Sequence, residues 1–143
     1  MYAPIALVHA SPGNLWRAPA HDAADAELAS VYEALGQPVV VYGHIHRPYI
    51  RSVAVMTVVN TGSVGLPYDG DRRAAYLLFD GFAPSIRRVE YDVDREIKAL
   101  LSSRMPHADW VAQMLANASP SLPAPSRSTT ESPPIAAVKP GSR

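Results

Sequence analysis

Three short apolar, β-branched runs, each ending abruptly in polar side chains, constrain this chain's fold more than any other feature. Residues 5–8 run straight into His9, residues 39–42 into Gly43, His44 and His46, and residues 53–59 into Asn60. Runs of this length bounded by turn residues read as buried strands. The order strand, helix, strand from 5 to 42 fits a right-handed crossover, which places the exits of the first two strands side by side. In layered α/β proteins ligands sit outside the carboxyl ends of such strands, so the polar residues there are the candidates for chemistry.

The remaining segments follow from local signals. Residues 22–35 predict a helix, with Asp22 as N-cap, acids early at Asp25 and Glu27, and Leu28, Val31, Tyr32 and Leu35 on one stripe. Gly36 and Pro38 end it. Residues 63–73 form a glycine- and aspartate-rich loop, and residues 74–79 and 85–91 a hairpin joined through Gly81 and Pro84. A second helix is expected over 93–103 and a third from Pro106, as first helical residue, to about Asn117. From Ser119 onward proline, serine and threonine dominate and aromatic residues are absent. Such a segment buries too little apolar surface to offset its ordering entropy, so 1–118 is expected to be the folded domain and 119–143 a disordered tail.

Composition excludes several classes of function. The chain has 143 residues, no cysteine and a formal net charge of zero. Disulfide frameworks and thiolate metal sites are therefore out, and the dispersed basic residues make no nucleic-acid surface. No segment has the length of a membrane-spanning helix, and the first residues lack the basic start of a signal peptide. The expected location is the cytoplasm.

His44 and His46 are two residues apart after a strand, and extended backbone would aim both at one point. Imidazole suits zinc, iron, manganese or nickel, and His9 lies at the neighbouring strand exit. His9 alone reads more readily as a hydrogen-bonded strand-end residue than as a ligand, whereas the Gly-His-Ile-His-Arg-Pro pair reads equally well either way. The three together could hold one ion with an open position, although no acid lies close in sequence to serve as second shell unless Asp69 or Asp71 folds back. His21 and His107 read as solvated or structural. Thr61-Gly62-Ser63-Val64-Gly65 nearly matches a nucleophile elbow but lacks its first glycine and a following helix. It reads better as a turn rich in exposed N–H groups, with Trp16 and Tyr68 as candidate pocket walls.

The stretches 9–13, 43–48 and 60–76, taken in order, resemble the calcineurin-like metallophosphoesterases, specifically their small bacterial predicted-phosphodiesterase branch. The resemblance implies the C-terminal half of a four-layer α/β/β/α sandwich with a dinuclear metal site at the strand ends. It implies hydrolysis of phosphate mono- or diesters and therefore a phosphate-ester substrate. His9 resembles the family's lone histidine ligand, His44 the Gly-His-x-His residue that joins it on one metal, and His46 the ligand to the other metal. Asn60, Gly62 and Ser63 resemble the turn beside the substrate pocket. Thr61 stands where proline is usual, and Ala10 where glycine is common.

The family's Asp-x-His, Gly-Asp and Gly-Asn-His motifs precede the position of His9, where this sequence has eight residues. The expectation is a truncated phosphoesterase, inactive or severely impaired alone, in which no catalytic residue is assigned. Two divalent ions about 3.5–4 Å apart need bridging anionic oxygen, so a full dinuclear site is not expected in this chain. The alternative is a non-catalytic metal- or partner-binding module that complements a separate N-terminal half or self-associates through exposed edges.

Overall fold

A computed structural model describes residues 4–122. Of the expected tail, only 119–122 falls within them, and these residues are still tied to what precedes. Ser119 N–H donates to the Met114 carbonyl (3.3 Å) and the Trp110 indole donates to Ser121 O (2.9 Å). The disorder expected for the rest concerns residues outside the described range.

Helix α1 (Asp25–Tyr32) is shorter than the predicted 22–35. Asp22 does not cap it, because a separate turn, closed by Ala23 N–H on Ala20 O at 3.1 Å, precedes the helix. The Ncap is Ala24, without a side-chain bond, and residues 33–35 tighten into a 3₁₀ turn. Gly36 ends it in the left-handed region (φ 63°), as its sequence position suggests. Leu28 and Tyr32 are the residues that bury.

The main sheet has the order β1-β2-β4-β3, with β1 (Ile5–Leu7), β2 (Val39–Tyr42) and β4 (Met56–Asn60) parallel. Strand β3 (Tyr49–Val53) is antiparallel to β4. The single strand expected over 53–59 is thus two strands of a hairpin, turning at Ala54 and Val55 and closed by Val53 opposite Met56. Ala54 takes the left-handed conformation (φ 51°) and Val55 is 89% exposed. No glycine, proline or asparagine announces this turn, which is why the apolar run concealed it.

Each face of this sheet is covered by a different layer. Leu28 and Tyr32 of α1 pack with Val40, Tyr42, Val53 and Val58 on one side. On the other, Val39, Val41 and Val59 lie beneath Leu77 and Phe79 of the antiparallel pair β5 (Ala74–Asp80) and β6 (Ala83–Val89). Burial of these aliphatic side chains stabilises by about 1.5–3 kcal/mol each, and it is the main force holding the layers. The β5–β6 turn is Gly81-Phe82, while Pro84 pairs with Phe79 inside the ladder.

Strand β1 is not buried on both faces, as expected, but on one. Ala6 and Val8 meet the α1 core, whereas Ile5 (44%) and Leu7 (77%) are exposed on the face they share with Val39 and Val41. The hairpin layer stops short of them.

Helix α2 (Val93–Ser102) starts as expected, with the Asp92 carboxylate accepting from Arg95 N–H. Helix α3 (Ala108–Asn117) begins two residues after Pro106, behind His107 in the left-handed region. The two pack together, and α3 holds the 63–73 loop. Tyr68 OH donates to Met114 Sδ (3.7 Å) and Gly70 N–H to the Ala118 carbonyl (2.9 Å). Helices α1 and α2–α3, with the two sheets, supply the α and β layers of the expected sandwich. No helix among the described residues is long and apolar enough to cross a membrane.

Candidate metal centre

The parallel pairing of β1 with β2 brings His9 and His44 together. The ladder continues past both strands, Val8 N–H donating to Val41 O and Gly43 N–H to His9 O, each at 3.0 Å. His9 Nε2 then lies 3.2 Å from His44 Nδ1, with ring centroids 5.2 Å apart and planes at 79°.

That separation suits a shared ion. With metal–nitrogen bonds of about 2.0–2.1 Å, two ligand nitrogens sit roughly 2.9 Å apart in octahedral and 3.4 Å in tetrahedral geometry. In the metal-free pair the same distance lets one ring donate to the other, so a divalent ion can replace the shared proton with little movement. The chemistry of the donor set therefore fits a cation.

His46 does not join them, and the reason is backbone conformation. His44 (φ 67°) and His46 (φ 56°) are both left-handed, not extended, so the alternation expected from strand geometry does not operate. Each such residue costs about 1–2 kcal/mol, and strain of this kind concentrates at functional sites. Ile45 N–H closes a tight turn on Gly43 O (2.8 Å) between them. His46 Nδ1 donates to the Leu66 carbonyl (2.7 Å) and its ring stacks on Tyr68 at 4.7 Å. A backbone carbonyl thus takes the proton of Nδ1, a role for which no acid lies close in sequence, and this fixes the tautomer and leaves Nε2 as the nitrogen able to ligate.

Among the described residues, no three histidine, aspartate or glutamate side chains gather to hold one ion. The single three-histidine site therefore does not form. Asp69 and Asp71 fold back onto arginines instead of histidines. Asp69 pairs with Arg88, and Asp71 meets the Arg73 guanidinium at 2.7 Å, which with the Arg73 backbone N–H lowers its carboxyl pKa to about 2.

The residues of the 60–65 turn support this loop from beneath. Asn60 is fully buried, its amide donating to Gly43 O (2.6 Å) and its carbonyl accepting from Gly62 N–H (2.9 Å). Both ends of the side chain are committed to backbone, so Asn60 is a positioning residue under the Gly-His-x-His loop and not a pocket wall. Gly62 is left-handed (φ 74°), with Pro48 and Ala75 where a side chain would stand. Ser63 Oγ accepts from Leu66 N–H (2.9 Å), which helps hold the carbonyl used by His46. Trp16 is 82% exposed, and only Tyr68 of the two expected wall residues meets a histidine.

Sequence reasoning missed two supports. Tyr32 OH donates to Ala10 O (2.6 Å), anchoring the residue after His9, and Tyr68 N–H donates to His46 O (3.0 Å). Nothing in the local pattern identifies Tyr32 as more than a core residue of α1.

Parallel strands delivering histidines to one edge, with a second β layer behind, define the class. The chain belongs to the calcineurin-like phosphoesterase superfamily, whose domain model matches residues 3–81. It is similar to an uncharacterized protein of Methanocaldococcus jannaschii, 31% identical over 90 residues, covering 51% of this chain and 36% of that protein. Its fold is that of a metallophosphoesterase from Sphaerobacter thermophilus, with TM-score 0.67 and 23% identity over 82% of this chain and 56% of that one. A hypothetical protein from Pyrococcus horikoshii matches with TM-score 0.68 and 20% identity, over 79% and 46% respectively. The chain therefore spans about a third to a little over half the length of these relatives.

Proposed function

We propose that residues 1–143 supply the histidine side of a metal-dependent phosphoesterase site that hydrolyses phosphate mono- or diesters. The observation that carries this reading is the 3.2 Å separation of His9 Nε2 and His44 Nδ1 at adjacent strand exits. His9 and His44 serve one divalent ion, manganese, zinc, iron or nickel, and His46 Nε2 serves a second. Such ions supply Lewis acidity toward a phosphoryl oxygen. The chain's own residues orient the ligands: Asn60 holds Gly43, Leu66 holds His46, and Tyr32 holds the backbone beyond His9. No carboxylate joins the histidines among the described residues, so the pair binds an ion weakly and the chain alone hydrolyses poorly or not at all.

The test is calorimetric titration of zinc or manganese into the chain. The expected binding is no tighter than micromolar, about −8 kcal/mol. His44→Ala should weaken it further without changing the far-UV circular dichroism. Unchanged binding in that variant would remove the metal-centre reading.

A second reading is favoured by a separate observation, the exposed Ile5 and Leu7 on the edge strand β1. The chain then acts as a module that docks on a polypeptide carrying the family's Asp-x-His, Gly-Asp and Gly-Asn-His motifs. Mixing the two should restore metal-dependent hydrolysis of an activated phosphodiester. Activity from a covalent fusion but not from the mixture would exclude docking in trans.

A further inference from the structure

We propose that Arg47, held by His21, forms a phosphate-binding subsite beside the histidine centre, and that it takes a non-scissile phosphate of a substrate carrying two. The second half of this statement rests on the metal-dependent reading above, but the anion site does not.

Arg47 follows His46 directly and opens into a cavity of about 430 Å³ whose walls include His21, Tyr49, Tyr68 and Asp69. Like Arg17, Arg87, Arg95 and Arg104, it has no aspartate or glutamate within 4 Å among the described residues, but it faces a cavity and an imidazole. Arg51, Arg72, Arg73 and Arg88 each lie within 4 Å of an aspartate, whereas Arg47 meets an imidazole, donating from Nη1 to His21 Nε2 at 3.4 Å. That contact is long, and it occupies one of the five donors of a guanidinium. The guanidinium therefore keeps its remaining donors for the cavity, with no carboxylate on it among the described residues, while His21 accepts from it and holds it in place. Asp69, the acid in the same wall, is neutralised by Arg88, and Asp22 stands on the far ring nitrogen of His21 at 3.7 Å.

The planar fork of arginine matches phosphate oxygens in a bidentate manner, and such charge-assisted bonds are about twice as strong as neutral ones. Tyr68 links this cavity to the metal centre, since it lines the cavity while stacking on His46. A phosphate held by Arg47 is thus one aromatic ring away from a group held at His46. The cavity is larger than a phosphate needs, and the Tyr49 and Tyr68 rings offer apolar surface to the organic part that joins two phosphates. The class of substrate this favours is an organic bisphosphate.

The test begins with the chain in chelator, where no metal can recruit an anion. Inorganic phosphate and pyrophosphate are titrated while the Arg47 side-chain and His21 ring resonances are followed by NMR. Both should move together, and Arg47→Gln should weaken binding about tenfold, the size of a lost charged hydrogen bond. Arg47→Lys, which keeps the charge and the stem, should fall between, and it serves if the glutamine variant loses its fold. Resonances that stay still, or variants that bind as tightly as wild type, would overturn the subsite. Broadening of the His9 and His44 signals by manganese reads the metal centre independently, so either reading can fail while the other stands. With manganese present, an organic bisphosphate should bind more tightly than the matching monophosphate. Equal binding would overturn the assignment to a substrate phosphate.

Discussion

At the scale of single residues, the backbone and not the side chain decides the site. His44 and His46 look like a strand pair in sequence, but both are left-handed, and this sends one toward His9 and the other toward Leu66. The residues that make the turn possible lie elsewhere. A Cβ at Gly62 would stand 2.9 Å from Pro48 Cβ and 3.0 Å from Ala75 Cβ, at φ 74°. Gly62→Ala should therefore cost about 2–4 kcal/mol, adding left-handed strain to overpacking, as read from the urea midpoint. Ala54 shows the reverse case, a left-handed alanine in an open hairpin turn. Ala54→Gly should raise stability by about 0.5–1 kcal/mol, and a lowered midpoint would contradict the turn geometry. The His9–His44 encounter was legible in the sequence because strand order alone predicts it. The conformation at His44 and His46 was not, since histidine carries no signal for φ above zero.

At the scale of elements, helices and hairpins with caps and breakers were legible, and the two central misreadings have one cause. Residues 5–8 are uniformly apolar and residues 53–59 nearly so, with Thr57 the exception, so periodicity shows neither the turn at Ala54-Val55 nor the one-sided burial of β1. Contacts between elements were also hidden, above all the tyrosines under the sheet. Tyr42 OH shares a 2.6 Å hydrogen bond with Tyr49 OH, joining β2 to β3, and the Tyr32 ring packs 5.2 Å from that of Tyr42. Burial raises the pKa of all three phenols above the usual 10.0, for Tyr42 reinforced by the bond to Tyr49. A pKa raised in the folded state means the neutral phenol is favoured there. The stability this gives is complete below pH 10 and is lost as pH rises beyond it. The urea midpoint should hold up to about pH 10 and then fall steeply. Tyr42→Phe should flatten that fall, at a cost of about 1–3 kcal/mol at neutral pH because Tyr49 loses its partner. An alkaline limb identical to wild type would show that the tyrosine layer is not the titrating element.

At the scale of the whole molecule, the described residues cover both faces of β2 and β4 but leave one face of β1 exposed. The α/β class and the order of the first strands were legible from the spacing of apolar runs and the intervening helix. The extent of the hairpin layer was not, because it depends on how far β5 reaches across the sheet. Leu77 and Phe79 cover Val39, Val41 and Val59 but leave Ile5 and Leu7 exposed beside them. Leu7→Lys should change thermal stability little, within about 0.5 kcal/mol, since the side chain is already in solvent. If the chain self-associates through this face, the variant should lose the concentration dependence of its sedimentation. Persistent association in the variant would place the contact elsewhere.

Those two side chains also bear on how long the chain survives in a cell. Exposed apolar strands invite pairing with other chains, and modest losses of stability change abundance in cells through chaperones and proteases. A segment or partner that covered Ile5 and Leu7 would therefore be expected to lengthen the lifetime of the polypeptide. The half-life in cells, compared between wild type and Leu7→Lys, is the measurement that reads whether such cover exists.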